Sequence, residues 1–126
     1  MSDDRADRYN GGKVPMSHVL DYPHLLIELA KVADYGARKY SRGNYLKGQD
    51  VSVTMDSMMR HLTKWWAGEE EDEESGISHL AHAAWNLATL IQDTSDTADI
   101  NLDDRALVGE FVTSRIAYHL DGKGCD

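Results

Sequence analysis

Apolar residues recur along this chain at intervals of three and four, and no stretch keeps the strict alternation of a half-buried strand. Over 23–40, Leu25, Leu29, Val32, Gly36 and Tyr40 fall on one helical face. Asp21-Tyr22-Pro23 is its start signal, an acid that caps exposed amides followed by a proline that suits the first turn. A loop over 41–50, broken by Gly43 and Gly48, leads to a second predicted helix over 53–67, with Met55, Met58, Met59, Leu62, Trp65 and Trp66 as a wide apolar face and Gly68 as its stop. A third predicted helix spans 77–92, with Ile77, Leu80, Ala84, Leu87 and Ile91 as the stripe expected to be buried. A fourth begins near Asn101, has Asp103 and Asp104 at the positive end of its dipole, carries Leu107, Phe111 and Ile116, and stops at Gly122. Residues 1–21, with Gly11-Gly12 and Pro15 and no sustained period, read as an irregular arm. The expectation is an all-α protein, a four-helix bundle in one domain over 1–126. Within it, 22–92 is the helical core with an acidic loop at 68–76, and 93–126 is a C-terminal helix and tail.

Composition narrows the partners. Among 126 residues, 41% hydrophobic and 28% charged is the balance of an ordinary folded domain rather than a disordered chain. The net charge is −9, and the unbroken acidic run 69–74 supplies most of it, so the rest of the chain is close to balance. Duplex nucleic acid is excluded as a partner, since binding it needs a basic footprint to displace counterions. A small phosphate ligand needs only a few local cations or a metal ion. The single cysteine, Cys125, neither staples a fold nor builds a thiolate zinc site. No apolar run approaches the roughly 18 residues of a membrane span, and the acidic start MSDDRADRYN does not read as a signal peptide, so the expected location is the cytoplasm.

Chemistry concentrates around the third helix. His79, His82, Asn86 and Asp93, at offsets of 0, 3, 7 and 14, share a side of that helix distinct from the leucine stripe. Two histidines three apart can aim at one cation, as such pairs do in bundle metal sites; the alternative is a pair hydrogen-bonded in a core or lying in solvent. If the second and third helices pack antiparallel, His61 lies at a depth comparable with His79 and His82 and becomes a third contributor. Arg60 and Lys64, at i and i+4, either hold a phosphate or face the acidic loop across water. Most of the acidic run reads as solvated loop, with one or two carboxylates placed to serve Mg²⁺ or Mn²⁺. Arg38, Lys39, Arg42 and Lys47, interleaved with Tyr40, Asn44 and Tyr45, suit phosphates and a nucleobase, or a plain exposed loop. Gly11-Gly12-Lys13 is too short for a phosphate loop. Trp65, Trp66 and Trp85 read as core or subunit contacts.

These pieces come in a recognisable order: Gly12-Lys13 with Pro15, Tyr35-Gly36-Ala37-Arg38-Lys39-Tyr40, Asn44-Tyr45-x-x-Gly48, Arg60-His61-Leu62, and the block from Gly68-Glu69 through Asp72, Glu74, His79 and His82 to Asn86. Over residues 8–92 the chain resembles the phage-associated dATP/dGTP diphosphohydrolase N-terminal domain family. The resemblance implies hydrolysis of a purine (deoxy)nucleoside triphosphate to monophosphate and pyrophosphate in a phage or host nucleotide pool, and kinship with the all-α, MazG-like pyrophosphohydrolases, which assemble as dimers or tetramers. It singles out Asp72 and Glu74 as the catalytic carboxylates.

Where the MazG-like enzymes carry E-x-x-E and E-x-x-D pairs, this chain has His79-x-x-His82 and Arg60, His61 and Lys64. The implied scheme therefore places a divalent metal on His61, Asp72, His79 and His82, with imidazole favouring Mn²⁺, Co²⁺ or Zn²⁺ over Mg²⁺. Lys13, Arg38, Arg60 and Lys64 would meet the phosphates, and Lys39, Tyr40, Asn44, Tyr45 and Asn86 would complete substrate binding. The alternative is a non-catalytic binding protein that sequesters a nucleotide or a nucleotide-derived immune signal. A homo-oligomer is expected in either case.

Overall fold

The computed structural model describes residues 4–96, 98–105 and 120–122. It is all-α: three helices, α1 (Pro23–Lys39), α2 (Val51–Trp66) and α3 (His79–Asp93), are accompanied by 3₁₀ turns at Met16–Asp21, Asn44–Lys47 and Ile100–Leu102. Among the described residues there is no β-strand, only one isolated bridge between Glu71 and Ser78. The fourth helix predicted from Asn101 falls largely on 106–119, outside the described residues. Its described start is a single 3₁₀ turn whose cap is Asp99, accepting from Asn101 N–H at 3.0 Å.

Helix boundaries follow from identifiable backbone bonds. Pro23 opens α1, but Asp21 ends the preceding 3₁₀ turn instead of capping the helix. α2 starts two residues before its predicted position because the Asp50 carbonyl accepts from Val53 and Thr54 N–H. Asp104 serves this end of α2: it accepts from the Ser52 N–H at 2.9 Å and from the Ser52 hydroxyl. α3 starts two residues later than predicted because Ser78 is its cap, accepting from Leu80 N–H at 3.1 Å.

α3 packs against both α2 and α1. Its early residue His79 meets His61, and its later residue Asn86 meets Ser57, so α2 and α3 run antiparallel. The stripe expected to be buried on α3 is not: Leu80, Leu87 and Ile91 are 43%, 52% and 67% exposed. Ala81, Ala83 and His79 are buried instead. Small alanines let the helix approach its neighbours closely, and the histidine side turns inward where its nitrogens find partners. On α2, Met55, Met59 and Trp66 are likewise exposed, and by helical phase they lie on the side of that helix away from His61.

Candidate functional site

Gly68 positions the site. It takes φ +100°, and around it Gly68 N–H bonds the Trp65 carbonyl while Glu69 N–H bonds the Lys64 carbonyl, both at 3.0 Å. This is a Schellman stop, which needs a residue without Cβ strain at the left-handed position. The acidic loop that follows is closed rather than splayed: Asp72 N–H bonds the Ile77 carbonyl and His79 N–H bonds the Glu70 carbonyl, each at 2.9 Å. We expect Gly68→Ala to lower stability by about 1–2 kcal/mol and to misplace Glu69. A thermal melt identical to that of the unaltered protein would contradict this.

Three histidines meet beside that loop. His61 Nδ1 lies 2.8 Å from His79 Nδ1, and the His61 ring stacks on His82 with centroids 4.6 Å apart and planes 11° apart. His79, with no exposed surface, reaches Glu69 Oε2 through Nε2 at 2.6 Å. His82 Nε2 lies 2.7 Å from Ser75 Oγ, and Ser75 donates both its N–H and its hydroxyl to Asp72 Oδ2 at 2.9 Å. His61, Asp72 and His79 each offer a ligand atom within 4.8 Å of the others. Two imidazoles and a carboxylate form a donor set that suits a borderline divalent cation.

Burial favours the neutral, cation-binding form of two of these imidazoles, His61 and His82. Burial first, then the proximity of His82 and His79, lowers the His61 pKa from 6.5 to about 4. Burial also lowers His82, against the pull of Asp72. For Asp72, burial pushes upward, but the Ser75 N–H and hydroxyl and the nearby histidines together hold it below its usual value. A histidine whose folded pKa is depressed takes up its proton first in the unfolded chain. The stability it contributes is therefore whole above about pH 6.5 and drains as pH falls toward 4. Melting temperature should decline across that window, and a flat profile from about pH 7 to 5 would contradict the assignment.

His61, His82, Asp72, Arg60, Tyr45, Trp85 and Asn86 all line a cleft of about 480 Å³. That volume is within the range of small-ligand sites. Lys39, Tyr40, Asn44 and Glu74 also line it. Glu74 accepts from Lys39 Nζ at 2.5 Å and from Tyr35, and these bonds hold its carboxyl below the usual range. Asn86 Nδ2 donates to Ser57 Oγ at 3.2 Å. Trp85, read from sequence as a core or subunit contact, meets Tyr45 edge to face at 4.9 Å. A second recess of about 410 Å³ shares Tyr45, Trp85 and Thr89 with the cleft.

Four expected site residues lie off the cleft lining. Lys13 donates to its own arm at the Tyr9 carbonyl, Arg38 pairs with Asp34 at 3.3 Å, Lys64 is exposed, and His79 is buried behind the other rings. Glu69, Ser75 and Trp85 are not among the site residues expected from the sequence. Trp85 was within reach of it, lying three residues past His82 on the same side of the helix.

Comparison with known proteins agrees with this block of residues. Residues 3–105 match the family described as dATP/dGTP diphosphohydrolase, N-terminal. The chain belongs to that family. The match continues past residue 92, so it takes in the Asp99 turn and Asp104 as well. The chain is also similar to a dATP/dGTP diphosphohydrolase of Salmonella phage PMBT28, 34% identical over 80 residues that make up 64% of this chain and 27% of the relative. It thus spans about a quarter of that phage protein's length. No solved structure matches it. No helix among the described residues is long and apolar enough to cross a membrane.

Proposed function

We propose that this chain hydrolyses a purine deoxynucleoside triphosphate, dGTP or dATP, to the monophosphate and pyrophosphate in a phage or host nucleotide pool in the cytoplasm. The observation that carries the reading is the cleft itself. It joins a neutral histidine pair, Asp72 and Arg60 to an aromatic corner made by Tyr45 and Trp85. Family membership and the name of the phage relative supply the substrate class. A divalent cation such as Mn²⁺ or Zn²⁺, held at the histidine cluster, would neutralise triphosphate oxygens and make a bound water acidic. Arg60, exposed and lining the cleft, meets the charge that builds on the departing pyrophosphate. Asp72, with its pKa held low, keeps its charge and fixes Ser75 against His82. Tyr45 and Trp85 receive the base, with Tyr40, Asn44 and the Asn86 amide around it. The bond from the α phosphorus to the oxygen bridging to β breaks, and the water oxygen ends on the monophosphate.

A second reading has its own observation. Glu74 is engaged by Lys39 and Tyr35, and Asp72 by Ser75, which leaves few cleft carboxylates free for base chemistry. A protein that captures a nucleotide or a nucleotide-derived signal without cleaving it fits this arrangement. Incubation with dGTP or dATP and Mn²⁺, followed by chromatography, separates the two. Monophosphate and pyrophosphate support hydrolysis; intact nucleotide recovered after denaturation supports capture. The outward Leu80, Leu87 and Ile91, together with Met55, Met59 and Trp66, support a homo-oligomer, dimer or tetramer, in either case.

A further inference from the structure

The cleft does not end at its aromatic corner. Tyr45, Gly48, Trp85 and Thr89 line both the cleft and the second recess of about 410 Å³, so the two adjoin along α3. His82 lines the first and Gln92 the second, a separation of about 15 Å along the helix. That span suits an extended nucleoside triphosphate, with its phosphates at one end and the far edge of its base at the other. Charge sets the direction. The second recess carries the carboxylates of Asp93 and Asp99 against one lysine, Lys47, a balance that does not hold a polyphosphate. Arg60 and the cleft histidines lie toward the other end.

Asp93 is a held acceptor in that recess. Its Oδ2 accepts the Gln49 N–H at 3.2 Å, which ties the end of α3 to the residues after the Asn44–Lys47 turn. Gly48 permits the approach: it sits at φ +81°, and a Cβ there would run into Leu102 and lie 3.6 Å from Asp93 Oδ1. Oδ1 takes no hydrogen bond from a described residue. With the second lone pair of Oδ2, it leaves a carboxylate able to accept two donors side by side. Gln92 is exposed, and its amide makes no hydrogen bond with a described residue. Beyond the shared aromatic wall, Ala88 and Leu102 give the recess apolar surface, and Asp93, Gln92 and Lys47 are the polar side chains left to meet a ligand.

We infer that the second recess reads the Watson–Crick edge of guanine, Asp93 accepting from N1–H and the 2-amino group while Gln92 donates to O6. The ring itself lies at the Tyr45–Trp85 wall, where an aromatic face is available for stacking. Guanine carries two adjacent donors on the edge farthest from its sugar, and a carboxylate is the acceptor that matches them. Adenine in the same place turns a bare N1 toward the carboxylate, acceptor against acceptor, which costs affinity. Asp93 and Gln92 are therefore the residues that set the preference among purines. The inference rests on the proposed reading only in taking a purine nucleotide as the ligand; it needs neither the cation nor cleavage.

Calorimetric binding of dGMP, dIMP and dAMP to the full chain, without added metal, tests this. dIMP differs from dGMP only in lacking the 2-amino group. The unaltered protein should bind dGMP at least about fivefold more tightly than either of the others. Asp93→Asn keeps an oxygen for the Gln49 N–H and should cost dGMP at least about fivefold while leaving dAMP no weaker. Gln92→Ala, at an exposed position, should weaken dGMP and dIMP together and spare dAMP, and it keeps the test usable if Asp93→Asn does not fold. Equal affinity for the three nucleotides, no binding of dGMP, or unchanged dGMP affinity in both variants would overturn the inference. So would an equal loss for all three in Asp93→Asn, which would make Asp93 a fastener of the loop. Hydrolysis is judged apart: selective dGMP binding with no pyrophosphate released from dGTP sinks the hydrolytic reading and spares this one. Turnover of dGTP and dATP at equal kcat/KM, unaltered in Asp93→Asn, does the reverse.

Discussion

His61→Ala is expected to reduce dGTP turnover by at least about a hundredfold, the scale seen when a group that stabilises developing charge is removed. The expectation follows from where His61 stands. It alone touches both other rings of the cluster, through the 2.8 Å contact to His79 and the stack on His82, and it lines the cleft. Its loss removes a neutral imidazole and leaves His79 Nδ1 buried without a partner, which costs about 1–3 kcal/mol of stability. Turnover and melting temperature should therefore fall together, and divalent-cation affinity with them. Gln at both Glu70 and Glu71, exposed positions whose side chains make no hydrogen bond or ion pair with a described residue, should change neither. Turnover within a few-fold of the unaltered protein in His61→Ala would remove the histidine cluster from the reaction.

The second large effect is expected at Asp72. One carboxylate oxygen accepts both the Ser75 N–H and the Ser75 hydroxyl, and Ser75 in turn holds His82. Asp72→Ala takes away the acceptor, leaves those donors unmatched at a cost of about 1–3 kcal/mol, and frees the serine hydroxyl to turn toward His82. Asp72→Asn keeps an acceptor oxygen and removes the charge. The account predicts a marked loss of activity in both variants, on the order of a hundredfold, with most of the stability retained in Asp72→Asn. Melting curves paired with kcat/KM measurements separate the two roles. Full activity in Asp72→Asn would reduce Asp72 to a loop staple.

Much of this was legible from spacing. Intervals of three and four located α1, α2 and α3 to within about two residues, and the remaining error lay in caps: the Asp50 carbonyl draws α2 back, and the Ser78 hydroxyl delays α3. The offset of His79 and His82 put them on one side of a helix, and the antiparallel argument brought His61 to their depth. Which side of α3 faces inward was misread. Hydrophobicity favoured Leu80, Leu87 and Ile91, whereas close packing through Ala81 and Ala83 turned the histidine side in and left the leucines outside. A chain pattern records what a face can bury, not which neighbour reaches it first. Lys13 and Arg38 were grouped with the phosphate-binding cations by charge and motif, yet one lies in the arm and the other pairs with Asp34. Glu69 was indistinguishable from its acidic neighbours until the left-handed turn at Gly68 fixed where it goes.

The most direct measurement is anomalous scattering from crystals of the protein grown with Zn²⁺ or Co²⁺, with and without a non-hydrolysable dGTP analogue. The account predicts one strong peak at the histidine cluster, about 2.0–2.1 Å from a ring nitrogen of His61, with analogue phosphate oxygens against it on the Arg60 side. A peak held only by exposed carboxylates of the 69–74 run, or an analogue bound in the cleft with no metal at the histidines, would contradict it.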